Sequence, residues 1–132
     1  MLRTKSVYSP IHRKQDGLRI LVTRFRGRGL ATSRYDAWMA NLGPSERLLR
    51  KFLASTDKTK GWRAFVKGYQ EEQFAAAPLD RNNPTIKNHG QKFTLRLLKE
   101  LARRQNVTLM CHCDEAQTMC HRHVLKRLIE RA

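Results

Sequence analysis

Acidic side chains are scarce: 11 Asp and Glu stand against 27 Lys and Arg, a formal net charge of +16 over 132 residues. A soluble enzyme of small neutral metabolites has no use for such a surface, whereas a partner rich in phosphates does, because basic groups steer it in and release its counterions. No apolar run approaches the length needed to cross a bilayer and no secretory leader is expected, so no membrane partner and a cytoplasmic location are the expectations. Cysteine is sparse and odd in number, three in all, with two of them one residue apart. That excludes a disulfide framework and points to reduced thiols used for packing, metal or chemistry. Internal repeats and low-complexity segments are also missing.

With 40% hydrophobic residues, the chain can bury a modest core, and one domain over residues 1–132 is expected. The basic excess is uneven. Residues 1–43 hold nine Lys and Arg but only Asp16 and Asp36.

The chemistry-bearing residues concentrate near the end. Val107 to Ile129 contains all three cysteines and three of the five histidines. Alternation sends Val107, Leu109, Cys111 and Cys113 to one side of a strand, and Thr108, Met110 and His112 to the other. An apolar run of this kind fits a strand buried on both faces. An acidic turn, Asp114 to Gln117, follows, with Thr118 as the expected N-cap of a helix. That helix has Val124, Leu125, Leu128 and Ile129 as its core stripe. Steps of four align Cys120 and His121 with the stripe and leave Arg122, His123, Lys126 and Arg127 largely outside. A helix amino terminus favours anions and lowers the pKa of a nearby thiol, which makes Cys120 the first thiol to suspect.

Earlier in the chain, residues 3–8 and 18–25 read as short strands separated by a turn pivoting on Asp16-Gly17. The second strand runs into Arg24, Arg26, Gly27, Arg28 and Gly29. Three arginines on a glycine-containing loop past a strand are a candidate grip for phosphate. A solvated basic loop, or an Arg24 partnered by a carboxylate such as Asp114, explains the same residues. Thr32 or Ser33 can cap a helix holding Tyr35, Trp38, Met39 and Leu42. Pro44 suits the first position of another, with Leu48, Leu49, Phe52 and Leu53 on one face. Thr59 can cap a third, whose Trp62, Phe65, Val66 and Tyr69 share a face and read as core rather than base-stacking platforms. Asn83 and Pro84 open a fourth with Ile86, Phe93, Leu97, Leu98 and Leu101 inward and His89 packed beside them. The fold class is therefore α/β: a small layered domain with a short, mainly parallel sheet and about five helices. The second strand and the Val107 strand should be parallel neighbours, bringing the arginine loop beside the cysteine turn.

The stretches LRILVTRFRGRGL and YDAWMANLGPSERLLRKF, the spacing W..F...Y..E, and VTLMCHCD with CHR resemble the domain of unknown function 488 family. The first part is most similar to its YeaO-like branch, and the resemblance covers nearly the whole chain. It implies a small α/β fold and an intracellular protein, and little about activity. Asp16, Gly17, Arg24, Arg28, Gly29, Trp38, Pro44, Ser45, Trp62, Phe65, Tyr69 and Glu72 fall on positions of the branch pattern. Cys111, Cys113, Cys120, His121 and Arg122 resemble the cysteine-bearing signature of the wider family. The pattern has an acidic residue where this chain has Thr23, and Trp-Pro where it has Arg26-Gly27.

Four readings of the cysteine turn compete. Cys111, Cys113, Cys120 and His121 can supply four ligands to zinc, although a C-x-C pair is not the usual C-x-x-C knuckle. Cys120 or Cys111 can act as nucleophile with His121 or His112 as base, although the C-x5-R loop of phosphatases is absent. The turn can bind an anion without turnover, or its thiols can simply pack. The favoured expectation is a basic domain binding nucleic acid or nucleotide phosphate in a cleft between the Arg24–Arg28 loop and the Cys111–Arg122 turn, with Arg24, Arg26, Arg28 and Arg122 as the phosphate-binding residues. The alternative is a cysteine- or metal-dependent enzyme acting on a nucleotide or nucleic acid, with a module for an acidic protein partner as a third class.

Overall fold

A computed structural model describes residues 1–75 and 90–132. The chain opens with β1 (Leu2–Ser6), makes a short helical turn α1 (Arg13–Asp16), and returns as β2 (Leu18–Leu21). A two-residue strand β3 (Ala37–Trp38) follows, then α2 (Glu46–Leu53) and α3 (Lys58–Phe74). After the undescribed segment come α4 (Lys92–Arg104), β4 (Val107–Cys111) and α5 (His121–Arg131). The four strands form one parallel sheet in the order β1-β4-β2-β3. Both Leu2 and Leu18 register with Val107, so β4 is flanked on each side by the amino-terminal strands.

The link from β1 to β2 therefore passes over β4 rather than making a hairpin. Gly17 makes that passage possible. Its φ of +61° is left-handed, and a Cβ there would lie 2.1 Å from the Asn106 carbonyl oxygen, to which the Leu18 N–H donates. Only glycine tolerates both. Asp16 anchors the other side of the turn. It is buried, accepts from the His12 N–H at 3.0 Å, and pairs with Lys5 at 3.0 Å.

All five residues of β4 are buried, as its alternation predicted for a central strand. Val107 and Leu109 join Ile20, Val22, Phe65, Tyr69, Leu98, Val124, Leu125 and Ile129 in the larger core, which packs α3, α4 and α5 on one sheet face. Met110, Leu21, Val7 and Leu30, with Tyr35 against them, form a smaller core on the opposite face. Emptying any of these positions to alanine costs about 2–5 kcal/mol.

Several local expectations give way to tertiary contacts. The segment of Tyr35, Trp38, Met39 and Leu42 is not a helix but two 3-10 turns around β3. The Asp36 carboxylate holds it to the sheet edge by accepting from the Arg19 backbone N–H at 2.8 Å and from its guanidinium at 2.9 Å. Glu46, not Pro44, holds the first position of α2, and Ser45 caps it: its hydroxyl accepts from the Leu48 N–H at 3.2 Å, while Glu72 accepts from the Ser45 N–H at 2.9 Å. Leu49 and Leu53 are exposed, and only Leu48 and Phe52 of the expected face pack inward. Asp57, not Thr59, caps α3, accepting from the Lys60 N–H. On α4, Leu95 and Leu98 are buried and Leu101 packs against them, while Phe93 and Leu97 are exposed. Asn83, Pro84, Ile86 and His89 lie outside the described residues. Trp62, Phe65, Val66 and Tyr69 do form a core face, their rings stacked in succession. Among the described residues no helix is long and apolar enough to cross a membrane.

Candidate functional site: a thiol cluster at the carboxyl edge of the sheet

Parallel strands leave all their carboxyl ends on one edge, where ligands of open α/β sheets bind. Here the ends of β1, β2 and β4 are tied together by the cysteine turn. Cys111 closes β4, and its carbonyl accepts from the Val7 N–H at 2.9 Å. The Glu115 carboxylate accepts from the Ser6 N–H and, at 3.0 Å, from the Ser9 hydroxyl, which clamps the turn to the end of β1. Cys120, not Thr118, is the cap residue of α5, and its side chain makes no capping bond because the sulfur points to the other thiols.

The alternation of β4 decides which group goes where. Cys111 shares the Leu109 side, and the Sγ atoms of Cys111, Cys113 and Cys120 all lie within 4.8 Å of one another. Cys111 and Cys120 are buried with their sulfurs 3.0 Å apart, while Cys113 is half-buried. Hydrogen bonds from the Cys111 and Cys120 thiols hold the Cys113 thiol well below its ordinary pKa against the effect of burial, with His121 and Arg122 adding to the pull. Cys111 is pushed up, first by its hydrogen bond with Cys113. Cys120 is pushed up by its bonds to both other sulfurs and by burial. The downward pull on Cys113 and the upward push on Cys120 run against the helix-terminus expectation, because each thiol answers first to the neighbouring sulfurs.

His121 is buried, as the four-residue step implied. Its Nε2–H donates to the Val22 carbonyl at 2.6 Å, its ring packs edge-on against Tyr69, and Nδ1 faces the Cys120 sulfur at 4.0 Å. Burial lowers its pKa, and because a carbonyl only accepts, the neutral ring carries its proton on Nε2 and leaves the Nδ1 lone pair free.

Arg122 reverses the sequence expectation. It is 1% exposed, not on the outer face. Its Nη1 donates to the Cys111 sulfur at 2.9 Å and the Cys113 carbonyl at 3.2 Å, and Nη2 donates to the Asp114 and Glu115 carbonyls at 3.1 and 3.2 Å. Side chains in the first turn of a helix lean back toward its amino end, and the turn folds over that end. The guanidinium therefore organises the turn from beneath.

The arginine loop does meet the cysteine turn. His112 points to the opposite side from Cys111, donates from Nε2 to the Phe25 carbonyl at 3.2 Å, and accepts from the Tyr8 hydroxyl at 3.3 Å. Gly27, with φ of +90°, passes so close that a Cβ would sit 2.7 Å from the His112 ring. The arginines themselves do not converge. Arg24 donates to the Gly43 carbonyl at 2.9 Å and the Pro44 carbonyl at 3.3 Å, not to Asp114. Arg26 donates to the Tyr35 hydroxyl at 2.7 Å and the Leu30 carbonyl. Arg28 makes no hydrogen bond among the described residues and lines a shallow hollow with Tyr8, Leu30 and Arg34.

Sequence reasoning missed the aromatic rings of this edge. Tyr8, Phe25 and Trp38 are 61%, 57% and 43% exposed, each just past or at the end of a strand. The Trp38 Nε1–H donates to the Thr23 carbonyl at 2.8 Å, which fixes its ring beside the loop. The signal was available for Tyr8 and Phe25, which follow two strands that the sequence shows, and not for Trp38, whose two-residue strand has no period.

The profile of the Active DUF488-N3 subclade matches residues 2–132. No curated protein and no solved structure matches.

Proposed function

The chain belongs to the DUF488 family, and from that premise and the meeting of its two bends we propose that it binds nucleic acid at the carboxyl edge of the sheet. The observation that carries this reading is the pairing of exposed Tyr8, Phe25 and Trp38 with the exposed Arg28 on one edge of a chain of net charge +16. Single-stranded nucleic acids are held by such a combination, bases stacking on rings while cations follow the backbone. Arg24 anchors the loop to the Gly43 and Pro44 carbonyls, Arg26 ties it to the Leu30 carbonyl and the Tyr35 hydroxyl, and Arg122 holds the turn from below. The protein works in the cytoplasm, where three reduced thiols persist.

Anisotropy of a labelled single-stranded oligonucleotide tests the reading. Phe25→Ala should weaken binding by about 1–3 kcal/mol, the worth of one stacked base, and Arg28→Ala should weaken it as well. Inorganic phosphate or a mononucleotide competing as well as the oligonucleotide would reduce the activity to phosphate binding. Equal affinity of both variants and the unaltered protein would remove the edge from consideration.

A second reading is favoured by the thiols. Three sulfurs within 4.8 Å of one another can hold a metal ion, and a soft, thiolate-rich donor set suits zinc.

A further inference from the structure

We infer that His121 is the fourth ligand of a closed zinc centre, binding through Nδ1 beside Cys111, Cys113 and Cys120; this rests on the three-thiol reading above. Three observations carry it.

The first is the imidazole's orientation. A zinc-bound histidine almost always gives its other ring N–H to a carbonyl or carboxylate, which fixes the tautomer and aims the free lone pair. The Nε2–H of His121 is committed to the Val22 carbonyl at 2.6 Å. Its Nδ1 faces the Cys120 sulfur at 4.0 Å in a residue 8% exposed; it stands outside the set of ligand atoms within 4.8 Å of one another, which the three sulfurs alone make up, so metal binding must draw the imidazole and the thiols together. The second is charge. Three thiolates, a neutral imidazole and Zn²⁺ sum to −1, and an uncompensated buried charge is expensive. Arg122, 1% exposed and 2.9 Å from the Cys111 sulfur, supplies the missing positive charge. The third is an orphan donor. The Arg122 Nε–H is buried with no partner. Metal-bound thiolates retain lone pairs for N–H donors, and the rest of this guanidinium already donates to a sulfur.

Metal entry displaces any thiol protons still on the sulfurs to solvent. With four protein ligands no position is left for water, which makes the centre structural rather than catalytic. It would join the end of β4, the turn and the start of α5. Through the Val22 carbonyl it would also join the end of β2, directly beneath the proposed binding edge.

The test uses full-length protein purified without chelator, with metal content measured and X-ray absorption recorded at the zinc edge. One zinc per chain with three sulfur and one nitrogen neighbours is expected. Cobalt exchanged into the site should give the visible bands of a tetrahedral thiolate centre. His121→Asn should lower zinc affinity by more than the roughly 10–100-fold that loss of an outer-shell partner costs. Zinc with three sulfurs and an oxygen, or unchanged affinity in His121→Asn, overturns the inference and leaves the three-thiol reading standing. No metal at all, or a Cys111–Cys120 disulfide in freshly isolated protein, overturns both. The absorption measurement needs only the unaltered chain, so a His121→Asn variant that fails to fold does not spoil the test.

Discussion

Arginine side chains do two jobs in this chain, and the hydrogen bonds separate them. Arg24 and Arg34 donate to backbone carbonyls, Arg24 to Gly43 and Pro44 and Arg34 to Val7 and Ser9 at 3.0 and 2.7 Å, and so pin loops together. Arg28 is exposed and has no such partner among the described residues. Thermal denaturation should tell them apart. Arg24→Ala forfeits charged hydrogen bonds of which about 1 kcal/mol survives solvent exposure, so its Tm should fall by roughly 3 °C. Arg28→Ala should leave Tm unchanged while weakening oligonucleotide binding. A Tm loss in both would mean that Arg28 has a structural partner. The composition placed all these arginines near a site but said nothing of their roles, because a guanidinium's partner is usually a carbonyl, which every residue carries. Arg122 is the clearest case. Helical periodicity assigns it to the outer face, and only the path of the turn over the helix end brings it under the thiols.

At the scale of elements, the two bends meet through one close approach, Gly27 against His112. At Gly27→Ala the added Cβ would sit 2.7 Å from the ring on a backbone with φ of +90°. The variant should lose more than about 1 kcal/mol of stability and should bind oligonucleotide less well, because His112 can no longer hold the Phe25 carbonyl. The His112 ring resonances in an NMR spectrum would shift with it; unshifted resonances and full binding would show that the approach is incidental. The Val107 strand, its burial and the following helix were legible because each has the right hydrophobic period over enough residues. The neighbour relation of β2 and β4 was legible too, since parallel strands need a crossover and the intervening helices supply one. Strand β3 was not. Two residues are too few for a period, and the aromatic spacing of Tyr35, Trp38, Met39 and Leu42 mimics a helix. What places β3 is the Asp36 carboxylate reaching the Arg19 backbone, a long-range contact with no local sign.

At the scale of the molecule, the fold concentrates charge that the sequence merely contains. Residues 1–43 supply three of the four strands and nine basic side chains, and the carboxyl ends of those strands form one edge. The opposite edge is basic as well: Arg103 and Arg104 end α4 beside the point where β4 begins, but Arg103 is paired with Glu100 at 2.7 Å, and no exposed aromatic ring stands at either residue. A diffuse field and a built edge therefore make different demands on salt. If the net charge alone holds nucleic acid, Arg28→Ala and Arg104→Ala should change the dependence of affinity on salt equally. If the carboxyl edge holds it, the logarithmic slope should fall by about 0.7 for Arg28→Ala, one single-strand phosphate contact, and stay constant for Arg104→Ala. Titrations of one oligonucleotide from low to moderate salt with the three proteins decide between them. Equal slopes in both variants would return the charge to a general surface property, because a specific phosphate contact cannot be lost from two edges at once.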